Sequence, residues 1–198
     1  GGNVHIAKSG HAVVYMGDDE RFDYVYKFVS HDKYIKGNKK HNMGLLASGD
    51  LYVAKFNGEI STSYDGKGEW IALTKDNQSK VDGMTIEEGL VYTRQAADKV
   101  GATKMDRPED VDVNPATGKV YIALTNNTRR GTAGQIGADA ANTREINRDG
   151  HVIELIETND DATALTFNWN ILLVAGDPSV DDSTYFSGYP REKVSPIS

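Results

Sequence analysis

Apolar positions in this chain fall in short runs rich in β-branched and aromatic residues, with glycine, asparagine and aspartate between them. Ala12-Val13-Val14-Tyr15-Met16 and Tyr24-Val25-Tyr26-Lys27-Phe28-Val29 are the first two, and their composition predicts strands. Gly17-Asp18-Asp19-Glu20-Arg21-Phe22-Asp23 joins them as an acidic hairpin loop. A third strand, Leu51-Tyr52-Val53-Ala54-Lys55-Phe56, is closed by the strong turn pair Asn57-Gly58. Asp65-Gly66-Lys67-Gly68 predicts a turn before a strand at Glu69-Trp70-Ile71-Ala72-Leu73. Further strands are predicted at Val111-Asp112-Val113, at Lys119-Val120-Tyr121-Ile122-Ala123-Leu124 after the turn from Asn114 to Gly118, at His151 to Ile156, and at Ile171 to Ala175.

Helical spacing occurs once. Thr85 with Glu88 three residues later forms a capping box, and Ile86, Leu90, Ala97 and Val100 follow near one face. Gly101 is placed to stop the helix. The pattern predicts a mainly β chain: a partial β-propeller-like assembly of short antiparallel strands with one helix near 85–100. A sandwich is the alternative architecture, since no internal repeat marks the blades. A long polar loop from 125 to 150 has little periodicity, and loops of that length are often functional sites or disordered insertions.

Composition narrows the function. The 198 residues are 38% hydrophobic, enough for one good core. A net charge of −7 argues against sequence-independent nucleic-acid binding, which needs a basic surface. No apolar run approaches the roughly 20 residues that cross a bilayer, so no membrane partner is expected. With no cysteine, thiolate zinc sites and cysteine nucleophiles are excluded within this sequence. The histidines lack zinc-protease spacing, and neither a nucleophile elbow nor a Walker loop is present.

Three polar clusters remain. Asp18, Asp19 and Glu20 offer oxygen ligands suited to a hard cation, although a solvated acidic turn is the plainer reading. In Asp106-Arg107-Pro108-Glu109-Asp110, Pro108 biases Arg107 towards an extended backbone, which would put Arg107 and Glu109 on one face. Arginine can hold phosphate while the carboxylate holds a metal; a surface ion pair is the bland alternative. Asp110, Asp112 and Asn114 imitate a calcium loop, but Pro115 and Tyr121 break the match. The third cluster, Thr125-Asn126-Asn127-Thr128-Arg129-Arg130, follows a strand directly, where site residues often sit. Asn142, Glu145, Asn147 and His151 extend this polar set.

Several of these segments together resemble the PhoX-type bacterial alkaline phosphatases. They are Tyr15-Met16-Gly17-Asp18-Asp19-Glu20-Arg21, Tyr26-Lys27-Phe28-Val29, Lys104-Met105-Asp106-Arg107-Pro108-Glu109-Asp110, Leu124 to Arg129, and Asn147 to Val152, in family order. The resemblance implies a β-propeller and hydrolysis of phosphate monoesters at a centre of calcium and iron, in a periplasmic or secreted protein. It implies that Glu20 and Glu109 are metal-ligating carboxylates and that Arg107 is the catalytic, phosphate-binding arginine. Asn126, Asn127 and Arg129 lie in a matching motif and are further candidates without assigned roles. Family members are much longer and bring an iron-ligating cysteine from an N-terminal region. The expectation is therefore a single incomplete propeller-like domain, 1–198, that is a central fragment and inactive in isolation. Its open strand edges predict self-association. Two other readings fit the same residue types: a non-catalytic propeller segment for binding or assembly, and a calcium-dependent lactonase-like or esterase-like propeller.

Overall fold

A computed structural model describes residues 1–60, 63–194 and 196. The alternating runs form strands, all paired antiparallel. These are β1 (Gly2–Ile6), β2 (His11–Gly17), β3 (Val25–Lys33), β4 (Gly49–Asn57), β5 (Asp65–Lys75), β6 (Gln78–Ser79), β7 (Pro108–Val113), β8 (Val120–Leu124), β9 (His151–Glu157), β10 (Thr166–Val174) and β11 (Tyr185–Phe186). Among the described residues they join into one sheet in the order β1-β2-β3-β4-β5-β10-β9-β8-β7, with β6 on β5 and β11 on β10.

The ends of this sheet come together. Asn3 on β1 donates to Asp112 on β7 at 2.7 Å, and the amino group of Gly1 meets the carbonyl of Glu109. A Cβ at Gly17 would lie 2.3 Å from the Pro108 carbonyl oxygen, so only glycine allows β2 this close to β7. The sheet is nearly closed and barrel-like, built of the short antiparallel strands that the pattern predicts.

Alternation decides what lies inside. Val13 and Tyr15 of β2, Ile122 of β8, Ile153 and Leu155 of β9, and Phe167 and Trp169 of β10 are buried in one core. Phe56, Trp70 and Phe167 stack edge-on or tilted, at centroid distances of 5.3 and 5.1 Å. The predicted turn at Asp65 to Gly68 is instead the first part of β5. Its glycines serve packing: a Cβ at Gly68 would meet the Phe167 ring at 2.1 Å, and one at Gly66 the Trp169 ring at 2.6 Å.

The helix expected near 85–100 is two helices. The Thr85–Glu88 capping box is present and starts α2, but a break at Tyr92 separates it from the next helix. Numbered in chain order the helices are α1 (Lys39–Asn42), which the pattern did not predict, α2 (Ile86–Val91) and α3 (Thr93–Lys99). At the break the Thr93 hydroxyl donates to the Leu90 carbonyl at 2.7 Å, competing with the helical ladder. Leu90 is consequently exposed, and the buried contacts come from Ala96 and Ala97, which pack with Tyr24, Val53 and Leu73.

The core also encloses charge. Lys27 of β3 and Glu157 of β9 pair at 2.9 Å, with both side chains almost fully buried. Lys27 also donates to the carbonyls of Ala162 and Ala164, and Glu157 accepts from the Tyr15 hydroxyl and the Trp70 indole. Burial holds the Lys27 ammonium down to about 8 and pushes the Glu157 carboxyl above its ordinary range.

Candidate functional site

The acidic hairpin loop between β2 and β3 is docked against the segment leading into β7. Arg21 and Asp106 form an isolated antiparallel bridge. Phe22 N–H donates to the Met105 carbonyl at 2.9 Å, and Met105 N–H returns to Asp23 at 2.8 Å. Arg94 of α3 ties the loop down through the Arg21 carbonyl at 3.2 Å and the Asp23 carboxylate at 3.4 Å. Residues 18–23 and 105–107, far apart in sequence, are thus held side by side.

Arg107 departs from expectation. Its φ is +48°, in the left-handed region, where a non-glycine residue is uncommon. The extended backbone that Pro108 favours is overridden, because Arg107 must turn between the bridge at Asp106 and the strand at Pro108. Its carbonyl meanwhile accepts from Thr125 N–H at 3.1 Å. The argument for a shared face with Glu109 therefore fails. The guanidinium pairs with Asp19 instead: Nε lies 3.1 Å from Oδ1, and Nη2 donates to Oδ2 at 3.2 Å. Nη1 reaches Asn126 Oδ1 at 3.4 Å.

Glu20 is fully exposed. The Arg21 backbone N–H, 2.6 Å from Oε1, holds its carboxyl below the ordinary range, with help from the guanidinium groups of Arg21, Arg94 and Arg129. Glu109 is also exposed, and its carbonyl takes up the Gly1 amino group. Arg129 is exposed, with its backbone N–H on Asn127 Oδ1 at 3.1 Å. Asn126 also lines a groove walled by Ala123, Val152 and Leu173.

Asn127 is fully buried and belongs to a polar network beneath the surface. At its centre the Asp106 carboxylate accepts from Arg130 at 2.6 Å, from Asn127 at 2.9 Å and from Asn147 at 3.1 Å. Arg130 also donates to the carbonyls of Lys104 and Gly137. Arg144 donates to Asn147, Gly150, Ala175 and Asp181. His151 Nε2 donates to the Ala141 carbonyl at 2.8 Å, and Nδ1 faces Asn147 at 3.3 Å. Burial lowers His151 to about 4, against the pull of Asp106, so the imidazole is neutral near pH 7. Residues 125–150 have no helix or strand of their own, yet this network stitches them to the barrel.

Sequence reasoning missed the roles of Asp19, Asp106, Arg130 and Arg144. Asp19 was visible only as one of three adjacent carboxylates. Asp106 and Arg130 stood in two separate candidate clusters, and nothing local marks them as each other's partner 24 residues away.

Oxygen donors suited to calcium or iron are present at Glu20 and Glu109. Among the described residues, however, no three histidine, aspartate or glutamate side chains converge as metal ligands. The donor chemistry fits a hard cation but the donor number does not.

A family model described as alkaline phosphatase PhoX matches residues 2–195. A solved structure, Pseudomonas fluorescens PhoX in complex with vanadate, a transition state analogue, is similar at 42% sequence identity with a TM-score of 0.83. The match covers 91% of this chain and 32% of that one, so the chain spans about a third of that relative's length. The relative's fold is β-propeller-like, which agrees with the architecture expected from the strand pattern. The search of curated proteins found no match.

Proposed function

The chain belongs to the PhoX alkaline phosphatase family, and from that premise we propose that it supplies the phosphate-recognition corner of a hydrolase acting on phosphate monoesters. The observation that carries this reading is the setting of Arg107. Its guanidinium is half-buried and held along one edge by Asp19, while Nη1 touches Asn126. A planar fork of that kind matches two oxygens of a phosphate. The vanadate in the similar structure is an analogue of the phosphoryl transition state, which supports a phosphoryl ligand for this corner.

In this proposal Arg107 is the catalytic arginine, because it would touch the transferring phosphoryl group and neutralise its charge. Asn126 and Arg129 flank it, Arg129 adding positive charge at the exposed rim. Asn127 acts from below, as an anchor of the loop. Glu20 and Glu109 are kept as proposed oxygen donors to a hard cation, calcium or iron, whose remaining ligands would come from other side chains.

We also propose that the chain by itself binds phosphate without turning it over. The test is calorimetric titration with inorganic phosphate, beside hydrolysis of a chromogenic phosphate ester with and without calcium and iron. Binding that disappears in Arg107→Ala supports the reading, and a wild-type chain that does not bind phosphate sinks it. Metal-dependent turnover that is lost in Glu109→Ala would sink the proposal of inactivity. A periplasmic or secreted location belongs to the same proposal. Among the described residues no helix is long and apolar enough to cross a membrane. Self-association is proposed through the exposed apolar side chains Val4 and Ile6 of β1, since the edge of β1 is closed against β7. A strictly monomeric species in light scattering at high concentration counts against it.

A further inference from the structure

We propose that Asp19 is the positioning residue of Arg107: its carboxylate grips one edge of the guanidinium and aims the other donors at the phosphate. The inference rests on reading Arg107 as the phosphate-binding arginine.

Three observations carry it. First, the contact is two-point: Nη2 donates to Oδ2 at 3.2 Å, and Nε lies within ion-pair distance of Oδ1 at 3.1 Å. A two-point contact fixes the orientation of the guanidinium, whereas a single contact would leave it free to swing. It occupies the side edge of the fork, with Asn126 beside Nη1 at 3.4 Å. Nη1 and Nη2 each keep one further N–H beyond these contacts, which a phosphate can use.

Second, the backbones on both sides are fixed. The loop bearing Asp19 is bridged to Asp106, the residue before Arg107, and is pinned by the Phe22–Met105 and Met105–Asp23 hydrogen bonds. The separation between Asp19 and Arg107 is therefore set by the fold.

Third, Arg107 holds a left-handed backbone, φ +48°, which is strained for an L-residue with a Cβ. An extended backbone at this position would turn the side chain away from Asp19. The strained turn is what brings Arg107 to Asp19 and Asn126, and strain of this kind clusters at functional sites.

A competing account gives the opposite sign. If Asp19 were only a neighbouring negative charge, it would repel phosphate or compete for Arg107, and removing it would tighten phosphate binding. If it positions Arg107, Asp19→Ala weakens binding despite the loss of that repulsion. Immobilising a long side chain on binding costs roughly two- to tenfold in affinity, and Asp19→Ala is expected to lose about that much. Asp19→Asn keeps an oxygen to accept from Nη2–H and drops the charge, so it should restore affinity to the wild-type level or better.

The experiment pairs two readouts on the whole chain. Calorimetry measures the Kd for inorganic phosphate at one fixed pH for wild type, Asp19→Ala and Asp19→Asn. Arginine-side-chain NMR follows the Nη–H resonances of Arg107, assigned through Arg107→Lys. Support is hindered rotation and slow exchange at Nη2 in wild type and Asp19→Asn that is lost in Asp19→Ala, with Asp19→Ala alone losing affinity. Tighter binding in Asp19→Ala, or an unchanged Kd, overturns the positioning role even if the ion pair is real. Arg107 Nη–H signals that are identical in all three proteins overturn the contact itself, whatever phosphate does. A wild type that shows the protected Nη2 group but binds no phosphate refutes the phosphate reading, and the positioning role falls with it. Should Asp19→Ala fail to fold, Asp19→Asn and Asp19→Ser carry the same comparison of a kept against a shortened acceptor.

Discussion

Replacing Lys27 by methionine should unfold this barrel under conditions in which the wild type is stable, and the cost can be worked from its surroundings. The methionine side chain would fill a similar volume, but the exchange removes an ammonium that donates to Glu157 at 2.9 Å, to Ala162 at 3.2 Å and to Ala164 at 2.6 Å. It would also remove the cation lying 4.6 Å from the Trp70 ring centroid. Glu157 would keep its bonds from Tyr15 and Trp70 but be left as a buried carboxylate without a counter-charge. Breaking a buried pair from one side costs about 3–5 kcal/mol. That is a large share of the roughly 5–15 kcal/mol that holds a domain folded. Burial pushes Lys27 down and Glu157 up, so for both groups the loss of water outweighs the partner's attraction. Removing both charges should therefore cost less than the two single losses added together. The assay is urea unfolding of wild type, Lys27→Met, Glu157→Gln and the double variant. With a slope of ~2 kcal/mol per molar urea, Lys27→Met should lower the midpoint by about 2 M. The double variant should recover at least about 2 kcal/mol relative to additivity. A Lys27→Met midpoint within about 0.5 M of wild type, or strictly additive losses, would refute the reasoning.

Two further outcomes are expected. His151 is held neutral by burial, with its pKa lowered from 6.5 to about 4, so between those values the unfolded chain binds a proton that the folded chain refuses. The stability it contributes is complete above about pH 6.5 and is lost as pH falls towards 4, amounting to about 3 kcal/mol; a difference in urea midpoint between wild type and His151→Gln that stays flat across this window would contradict it. Asp106→Asn takes the nearer of two counter-ions from the fully buried Arg130, leaving Asp139 at 3.3 Å, and should cost about 3 kcal/mol. It should also speed amide exchange at Gly131 and Ile146, whose N–H groups are bonded within the loop, and unchanged exchange there would mean that the ion pair does not anchor the loop.

The sequence by itself determined most of the strands and the start of the helical segment. Alternation at Val13 and Tyr15, or at Ile122 and Leu124, needs only a period of two and one buried face, and the capping box needs only Thr85 and Glu88 three positions apart. It also marked the loops that carry the candidate site, since Asp19, Arg107 and Asn126 all sit in segments singled out for their residue types. Only the tertiary structure decided how these pieces meet. Gly66 and Gly68 read as a turn because glycine favours turns locally; the rings of Trp169 and Phe167, about 100 residues away, require glycine in a strand instead. Lys27 stands in the apolar run from Tyr24 to Val29 with no local partner for its charge, and its burial depends on Glu157 arriving from β9. Arg107 was predicted extended from its neighbour Pro108, but the pairing of Asp106 with Arg21 and of the Arg107 carbonyl with Thr125 forces the left-handed turn. Local patterns report propensities worth about 1 kcal/mol or less per residue, whereas a distant buried charge or a ring filling a gap is worth several. Where the two conflict, the distant contact wins, and the conflicts lie at the buried pair, the aromatic core and the candidate site.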